Sequence, residues 1–467
     1  MALFGTGGYG SLRIGVPNVS FGVISDIHVT TPESTAVFRS ALKYFRDRKV
    51  DAVVVAGDLS DWGLRSGLKY VADAWYSVFP NDRAPDGQKV DKLFCTGNHD
   101  YDGYMYGDIT LDMHVQGYSE TEALRTLGMK RCWEEAFNEP FAAVRRRTVK
   151  GYDFISSEWK EGDGWHKESE RWFAQNAKLL DPKKPFFFFT HYPLGGTTSC
   201  SGNEGNKEYP SIAAFKGMPN AVAFSGHCHW TLNDERSIWQ GEYTAIAIPS
   251  MSYTTIPGGY ENGGDSRMGN PKASMAKIPA RSEFREAQGY LVSVYDDRME
   301  VERRDFTEGV EAAPAWVVTS PAAAESRYAF ANSKMRTPVP EFPEGAKVSV
   351  NTCNTEDRDG HWAIMMRLEF PSARARSGRV FDYEVRIEKE DGTIPTVRRF
   401  LAPAFYRLER DEPARQNFLF NAMDLPETGR YRFRVYPRNC FGECGKPIES
   451  NVFQSVPGKD KIKKITK

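Results

Sequence analysis

Short apolar segments recur through the N-terminal two thirds of the chain, separated by polar and helix-like stretches. Each segment has the length of a strand, and most are rich in Val, Ile or Phe. Continuous apolarity over such a length is typical of strands that are buried on both faces. The segments are Phe21–Ser25, Ala52–Ala56, Lys92–Thr96, Phe186–Thr190, Ala221–Ser225 and Thr244–Ile248.

Helical patterns lie between several of these apolar segments. Thr31 and Pro32 suit the N-cap and the first position of a helix, and apolar residues continue on one face after them. Further helices are predicted after Asp61 and around Trp172. Strands that alternate with helices in this way predict an α/β domain, which we assign to residues 1–306.

The pattern changes in the C-terminal third of the chain. Residues 307–346 are rich in Ala, Pro and Ser, which predicts a linker or strap. From residue 347 apolar and polar positions alternate with a period of two, as in Trp362–Phe370 and Phe381–Ile387. Roughly seven short strands over about 110 residues indicate an all-β sandwich at 347–455. A basic tail at 456–467 follows it.

The composition is that of a soluble globular protein. Of 467 residues, 40% are hydrophobic and 26% are charged, which is enough apolar material for a large core. No apolar run approaches the ~18 residues that a membrane helix needs. Lys and Arg number 61 against 62 Asp and Glu, whereas nucleic-acid-binding proteins usually have a basic excess. The composition therefore gives no strong sign of a nucleic-acid partner or a transmembrane segment, and it leaves the oligomeric state open.

Cysteine usage and the N-terminus bear on the compartment. Seven cysteines in a chain of this length do not make a disulfide framework, although Cys440 and Cys444 are close enough in sequence for a bridge to be possible. Residues 1–18 lack the apolar stretch of a signal peptide. Either the protein is cytoplasmic or the chain is a mature or trimmed form.

The candidate chemistry lies where the buried strands end. Five of the eight histidines follow such strands, in the company of carboxylates and an amide. In an open α/β sheet the loops beyond the carboxyl ends of the strands share one crevice, so these side chains are expected to converge. They are Asp26, His28, Asp58, Asn98, His99, His191, His227 and His229.

These donor groups predict a dinuclear metal site. Imidazoles, carboxylates and an amide oxygen suit Mn, Fe, Zn, Co or Ni, and the residues do not choose among these metals. Residues i and i+2 of an extended backbone share a face, so Asp26 and His28 can chelate one ion. His227 and His229 can each serve one of two ions about 3.5–4 Å apart, and Asp58 is the natural bridge.

The order D-x-H, GD, GNHD, H, GHxH over residues 26–229 resembles the signature of the calcineurin-like metallophosphoesterases. This resemblance implies a four-layer αββα sandwich in which two mixed sheets are flanked by helices. It also implies two metal ions that share Asp58. One ion would be held by Asp26, His28, Asp58 and His229, and the other by Asp58, Asn98, His191 and His227.

The implied activity is hydrolysis of a small-molecule phosphodiester or phosphomonoester by in-line attack of a metal-bridging hydroxide. His99 would stabilise the transition state or protonate the leaving oxygen. Asp100 is predicted either to orient a histidine, His99 first of all, or to cap the following turn. Residues 57–63, GDLSDWG, resemble the pattern of class III phosphodiesterases.

Two alternatives to a small-molecule phosphoesterase stay open. A catalytically silent binding module would keep the fold without the activity, and a nuclease of the same superfamily would use the same chemistry. The complete set of candidate ligands counts against the first, and the near-zero net charge counts against the second.

Residues 431–447 resemble the last strands of a fibronectin type III domain. Such modules are commoner in exported bacterial enzymes. By analogy alone, they favour a periplasmic or surface protein over a cytoplasmic one.

Overall fold

The computed structural model describes residues 15–101, 121–159, 164–199, 209–255, 260–261, 287–319, 327–356, 362–376, 378–403, 413–421 and 428–455. These residues divide into two compact units. The first unit contains the described residues as far as 232, together with 237–253 and 287–332. The second contains 233–236, 254–255, 260–261 and the described residues from 333 onward.

Twelve described strands of the first unit form two sheets. In chain order they are β1 (Val19–Ile24), β2 (Ala52–Ala56), β3 (Asp91–Cys95), β4 (Val144–Val149), β5 (Tyr152–Ser157), β6 (Phe186–Thr190), β7 (Ala221–Ser225), β8 (Ile238–Gln240), β9 (Thr244–Ala247), β10 (Gln288–Val294), β11 (Arg298–Asp305) and β12 (Val310–Thr319). One sheet has the order β12-β11-β10-β1-β2-β3 and the other β4-β5-β6-β7-β9-β8.

Both sheets are mixed. β1, β2 and β3 run parallel, and β10, β11 and β12 continue that sheet with antiparallel pairings. In the other sheet β5, β6, β7 and β9 are parallel, and β4 and β8 are antiparallel edge strands. All of the parallel strands except β5 are predicted apolar segments, and because such strands are buried on both faces they have no polar alternation.

The helices of the first unit lie on the outer faces of the two sheets. They are α1 (Ala36–Asp47), α2 (Arg65–Val78), α3 (Thr121–Phe137) and α4 (Gly164–Asn176). Trp75 of α2 and Trp133 of α3 share an apolar cluster with Phe94 of the first sheet. Phe173 of α4 packs in the same way on the second sheet. Among the helices of the described residues, none combines the length and the apolarity needed to cross a membrane.

The two sheets pack face to face between these helices. The ring of Phe21 on β1 lies with its centroid 5.0 Å from that of Phe154 on β5 and 4.7 Å from that of Phe187 on β6. The layer order is therefore helix, sheet, sheet, helix. This confirms the predicted αββα sandwich.

Part of the predicted linker at 307–346 is regular structure. Val310–Thr319 pairs with β11 as an edge strand, and Phe330–Arg336 forms a short helix, α5. Trp316 and Val318 are buried in strand alternation, which the Ala- and Pro-rich composition had obscured. Pro314 lies where the register with β11 is irregular, a position that tolerates a residue without a backbone N–H.

The second unit contains antiparallel sheets, as predicted for the C-terminal region. Its strands are β13 (Ser349–Glu356), β14 (Trp362–Pro371), β15 (Asp382–Lys389), β16 (Thr396–Leu401), β17 (Arg415–Asn421), β18 (Gly429–Arg438), β19 (Ile448–Glu449) and β20 (Phe453–Ser455). One sheet is β13-β14-β17, and the other is β16-β15-β18-β19 with β20 also paired to β18. Phe400 and Phe418 stack between the sheets with ring centroids 4.0 Å apart. Cys440 and Cys444 have free thiols.

Not all of the alternating residues of β14 face this core. Met366, Leu368 and Phe370 are buried, whereas the Trp362 side chain is 75% exposed. Among the described residues, β14 pairs with β17 from Met365 onward. The period of two predicts the strand but does not show where the opposing surface ends.

The second unit includes short segments from the middle of the chain. The Arg236 guanidinium lies 4.9 Å from the centre of the Phe381 ring, and the Glu261 N–H donates to the Arg399 carbonyl at 2.7 Å. Asp382, at the start of β15, is buried and pairs with Arg438 at 3.2 Å. This compact unit is therefore larger than the continuous stretch 347–455, because earlier segments pack against its strands.

Candidate metal centre

The candidate ligands meet where β1, β2, β3, β6 and β7 end in the first unit. Among the described residues, three groups of side chains have donor atoms within 4.8 Å of one another, and two of these groups include Asp58. The first of the two is Asp26, His28, Asp58 and His229, and the second is Asp58, His191 and His227. The remaining group, without Asp58, is His28, Asp61 and His99. Asn98 adds its side-chain oxygen, which lies 3.1 Å from His191 Nε2.

The backbone at these positions differs from the extended form that the sequence suggested. Asp26 and His28 have φ values of 53° and 46°, and His227 and His229 have values of 72° and 49°. Asp58 is also left-handed, with φ 48°. The expectation that paired residues share a face of an extended strand is therefore wrong, although their side chains do converge. Left-handed backbone is strained for residues other than glycine, and such strain is concentrated at functional sites.

Two histidine nitrogens face each other in the first group. His28 Nδ1 donates to Asp61 Oδ1 at 2.8 Å, and His229 Nδ1 donates to the Tyr253 carbonyl oxygen at 3.1 Å. In the neutral rings each Nε2 then holds a lone pair, yet these two atoms are 3.1 Å apart, and His229 Nε2 is 3.0 Å from Asp26 Oδ1. Three acceptor atoms so close together need a proton or a cation among them.

His191 shows the same arrangement in the second group. Its Nδ1 donates to the Ala56 carbonyl oxygen at 2.9 Å, and its Nε2 lies 3.1 Å from Asp58 Oδ2. Burial lowers the pKa of His191, but the carboxylates of Asp58 and Asp26 outweigh burial and raise that pKa to about 9. Burial and the neighbouring His191 lower the pKa of His227 to about 3.

The two carboxylates are buried and ionised. Burial opposes ionisation of Asp26 and Asp58, yet the neighbouring histidines hold both pKa values below the usual range. The backbone N–H of His227 donates to Asp26 Oδ2 at 3.1 Å, and that of His99 donates to Asp58 Oδ1 at 2.9 Å. Oxygen and imidazole donors around two buried negative charges fit cations of the Mn, Fe, Co, Ni and Zn class.

The sequence of this region matches a known family. The family model of the calcineurin-like phosphoesterases matches residues 19–230. This part of the chain has the metallophosphoesterase fold. No curated protein matches the chain.

Solved structures similar to this chain include a dimetal phosphatase from Danio rerio, at 14% identity over 65% of this chain and 99% of that chain, with a TM-score of 0.34. The purple acid phosphatase PPD1 from yellow lupin seeds is 13% identical over 65% of this chain and 55% of that one, with a TM-score of 0.38. GAP50, the anchor in the inner membrane complex of Plasmodium, is 13% identical over 68% of this chain and 93% of its own, with a TM-score of 0.37.

Asp100 supports the backbone around Asp58. Its buried carboxylate accepts N–H groups from Gly97 at 2.8 Å, Ser60 at 2.8 Å and Leu59 at 3.2 Å. Burial and the neighbouring Asp58 raise the pKa of Asp100 to about 7. Asp100 thus joins the loops after β2 and β3, and the expectation that it orients the His99 ring is replaced by this role.

Asp61 is the polar residue of the site that the sequence analysis did not select. Its carboxylate accepts from His28 Nδ1, and its backbone carbonyl accepts from His99 Nδ1 at 3.0 Å. The hydrogen bond from His28 lowers the pKa of the Asp61 carboxyl, so it is ionised at neutral pH. Its signal in the sequence was its place as the second Asp of the GDLSDWG stretch, three residues after Asp58.

Replacing Asp61 by Ala is expected to weaken metal binding by about 10- to 100-fold, the usual effect of removing a carboxylate that orients a ligating histidine. D61N should lose less, because an amide oxygen still accepts from His28 Nδ1. Metal titration of the purified full chain measures this. Asp73→Ala, an exposed residue of α2 that pairs with Lys69, is the control. Equal affinities in D61A and D73A would contradict the assignment.

Glycines after β2 and β3 let candidate metal ligands pack closely against the backbone. Gly57 has φ +92°, and a Cβ there would lie 2.4 Å from His191 Nδ1. A Cβ at Gly97 would lie 2.2 Å from Asp58 Oδ1. Glycine at 97 is thus required by the close approach of Asp58, whereas Gly57 meets both a backbone and a packing requirement.

Gly57→Ala is expected to displace His191 and to reduce metal affinity at least about tenfold. Gly87→Ala is a matched control, because Gly87 has φ +87° and its added Cβ would have nothing within 4 Å. Both variants should lose stability from the left-handed backbone, but only G57A should lose metal. Thermal unfolding and elemental analysis of the two proteins would separate these effects, and equal metal contents would refute the steric argument.

Proposed function

We propose that this protein hydrolyses phosphate esters with two metal ions held at the ends of β1, β2, β3, β6 and β7. The observation that supports this most strongly is the position of Asp58, a buried carboxylate common to two of the donor groups. A carboxylate shared by two sets of imidazole and oxygen donors suits a bridge between two cations.

The first ion would be held by Asp26, His28, Asp58 and His229, and the second by Asp58, Asn98, His191 and His227. When bound, the two ions would supply hydroxide at neutral pH and neutralise the charge of the phosphoryl oxygens. The metal would be Mn, Fe, Zn, Co or Ni, since the donor set includes no thiolate.

The chain itself would supply orientation and a proton. His99 is half-buried and its Nδ1 donates to the Asp61 carbonyl, so in the protonated imidazolium ring Nε2 would carry the proton that passes to the leaving oxygen. The His99 backbone N–H also donates to Asp58, so the acid is tied to the bridging residue. This arrangement supports in-line displacement at phosphorus without a covalent intermediate.

Hydrolysis of p-nitrophenyl phosphate and bis(p-nitrophenyl) phosphate tests this proposal. The full chain is stripped with a chelator, reloaded with Mn, Zn or Fe, and compared with Asp58→Asn. We expect turnover that depends on added metal and is lost in the variant. No turnover with any metal would contradict the proposal and favour a catalytically silent binding module.

We further propose a preference for diesters. This rests on the GDLSDWG sequence at residues 57–63, which resembles class III phosphodiesterases. The ratio of kcat/KM for the diester to that for the monoester should exceed one, and a ratio below one would assign the protein to phosphomonoesters instead.

We also propose that the C-terminal strands form a fibronectin type III-like sandwich. The antiparallel order β13-β14-β17 facing β16-β15-β18-β19 supports this, as does the core between Phe400 and Phe418.

A further inference from the structure

Three members of the candidate metal centre are partly accessible. Asp26, His28, Asp58, His191 and His229 are buried, whereas Asn98, His99 and His227 are half-buried. A substrate can therefore reach the centre across Asn98, His99 and His227. What lies next to these three residues contacts the part of the ester that remains outside the metal centre.

Aromatic rings continue outward from His227. The Tyr192 ring has its centroid 4.2 Å from that of His227, and the Tyr209 ring lies 5.6 Å from Tyr192 and 6.1 Å from His227. Trp159 extends the series, with its ring 6.3 Å from Tyr192. We call Tyr192, Tyr209 and Trp159 the aromatic wall.

Packing uses only part of the aromatic wall. Trp159 and Tyr192 pack against apolar clusters of the first unit, but all three wall residues are half-buried rather than buried. Tyr192 of the aromatic wall also directly follows the candidate ligand His191 in the chain, so the positions of the two residues are linked. Rings held rigidly beside a reacting group present a planar surface at little cost in conformational entropy.

In-line displacement places the leaving group on the side of phosphorus away from the attacking oxygen. Because most of the candidate ligands are buried, we place the leaving group at the half-buried side of the centre, where His227 adjoins the aromatic wall. A planar ring there can stack against Tyr192 and Tyr209, whereas a small alkyl group offers them little area.

We propose that the aromatic wall binds a planar aromatic or heteroaromatic leaving group, so that the preferred substrates are phosphate esters of this class. This inference rests on the proposed phosphoesterase function. It adds a selectivity that the metal centre alone would not provide, since two cations and His99 treat aryl and alkyl esters alike in binding the phosphoryl group.

Phenylphosphonate and methylphosphonate test the inference. Both present a phosphonate, neither is hydrolysed, and they differ in the ring that would face the wall. Calorimetric titration of the Mn-loaded full chain is expected to show at least about fivefold tighter binding of phenylphosphonate, the scale of one favourable aromatic contact. Y192L and Y209L should each reduce this ratio to about two or less.

Tyr436→Leu is the matched control, because Tyr436 lies on β18 of the second unit beneath the Arg386 guanidinium. It should leave the ratio unchanged. Metal content is measured for every variant. If Y192L loses metal because His227 is displaced, Y209L still tests the role of the aromatic wall. A ratio near one in the wild-type protein, or a ratio preserved in both wall variants, would overturn the inference.

Different results would contradict the aromatic-wall inference and the proposed phosphoesterase function. Weak or equal binding of the two phosphonates by a protein that hydrolyses nitrophenyl esters overturns only the role of the aromatic wall. A metal-loaded protein that binds neither phosphonate and hydrolyses neither ester overturns the phosphoesterase function, and the wall inference falls with it.

Discussion

Asp58→Asn is expected to reduce kcat/KM by about a thousandfold and to release metal during purification. Asn has the same shape but no negative charge, so the histidines and both proposed ions lose the carboxylate between them. Breaking a buried charge pair by removing one partner costs about 3–5 kcal/mol, which corresponds to roughly 10²- to 10⁴-fold. Elemental analysis and steady-state kinetics on the same samples measure both effects.

Asp153→Asn is the matched control for D58N. Asp153 is a buried carboxylate of the first unit that pairs with Arg146 on the neighbouring strand, away from the candidate ligands. D153N should lower the stability of the protein. Its kcat/KM per metal-loaded site should change by no more than about twofold. If D58N retained its metal and came within tenfold of wild-type turnover, Asp58 would not be the bridge.

His99→Ala is expected to lower kcat by about 10²- to 10⁴-fold while leaving the metal content close to that of the wild type. This range is the usual contribution of general acid–base catalysis. His99 Nδ1 donates a hydrogen bond to the Asp61 carbonyl oxygen. His99 does not belong to either of the two donor groups that include Asp58. Removing the ring should therefore impair proton transfer without dismantling the metal centre.

The leaving group provides a second measurement for H99A. Esters of p-nitrophenol need little protonation on departure, so the loss should be smaller for them than for phenyl esters. His166→Ala is the control, because His166 lies on α4 near Glu170 and outside the candidate centre. A parallel loss of metal and activity in H99A, or an equal loss for both esters, would show that His99 has a structural role.

Much of the αββα core could be predicted from local patterns. The six apolar segments became β1, β2, β3, β6, β7 and β9 to within a few residues. The hairpin of β4 and β5 was missed, because Arg145–Arg147 made its first strand appear polar. Lys150 and Gly151 join the two strands with φ values of 50° and 80°, and only the glycine was a visible signal for that turn.

The strand pattern by itself led to a single open sheet, and only the family resemblance implied the two sheets to which the strands belong. β1, β2 and β3 lie in one, and β6, β7 and β9 lie in the other. All six have the same buried, apolar pattern, and that pattern has no information about which strands pair. The side chains still converge, because the carboxyl ends of both parallel sets meet at the same end of the sandwich.

Local sequence patterns were enough to predict which donor groups are present, their order along the chain and their position at strand ends. How these groups meet depends on long-range contacts. His28 and His229 are 201 residues apart in sequence, yet their Nε2 atoms are 3.1 Å from each other. Asp61 accepts a hydrogen bond from His28 Nδ1, and Asp100 accepts one from the backbone N–H of Ser60 in the loop that carries Asp58. These contacts depend on strand order, on left-handed backbone at the ligands and on the packing of one sheet against another, which are long-range properties that local patterns do not encode.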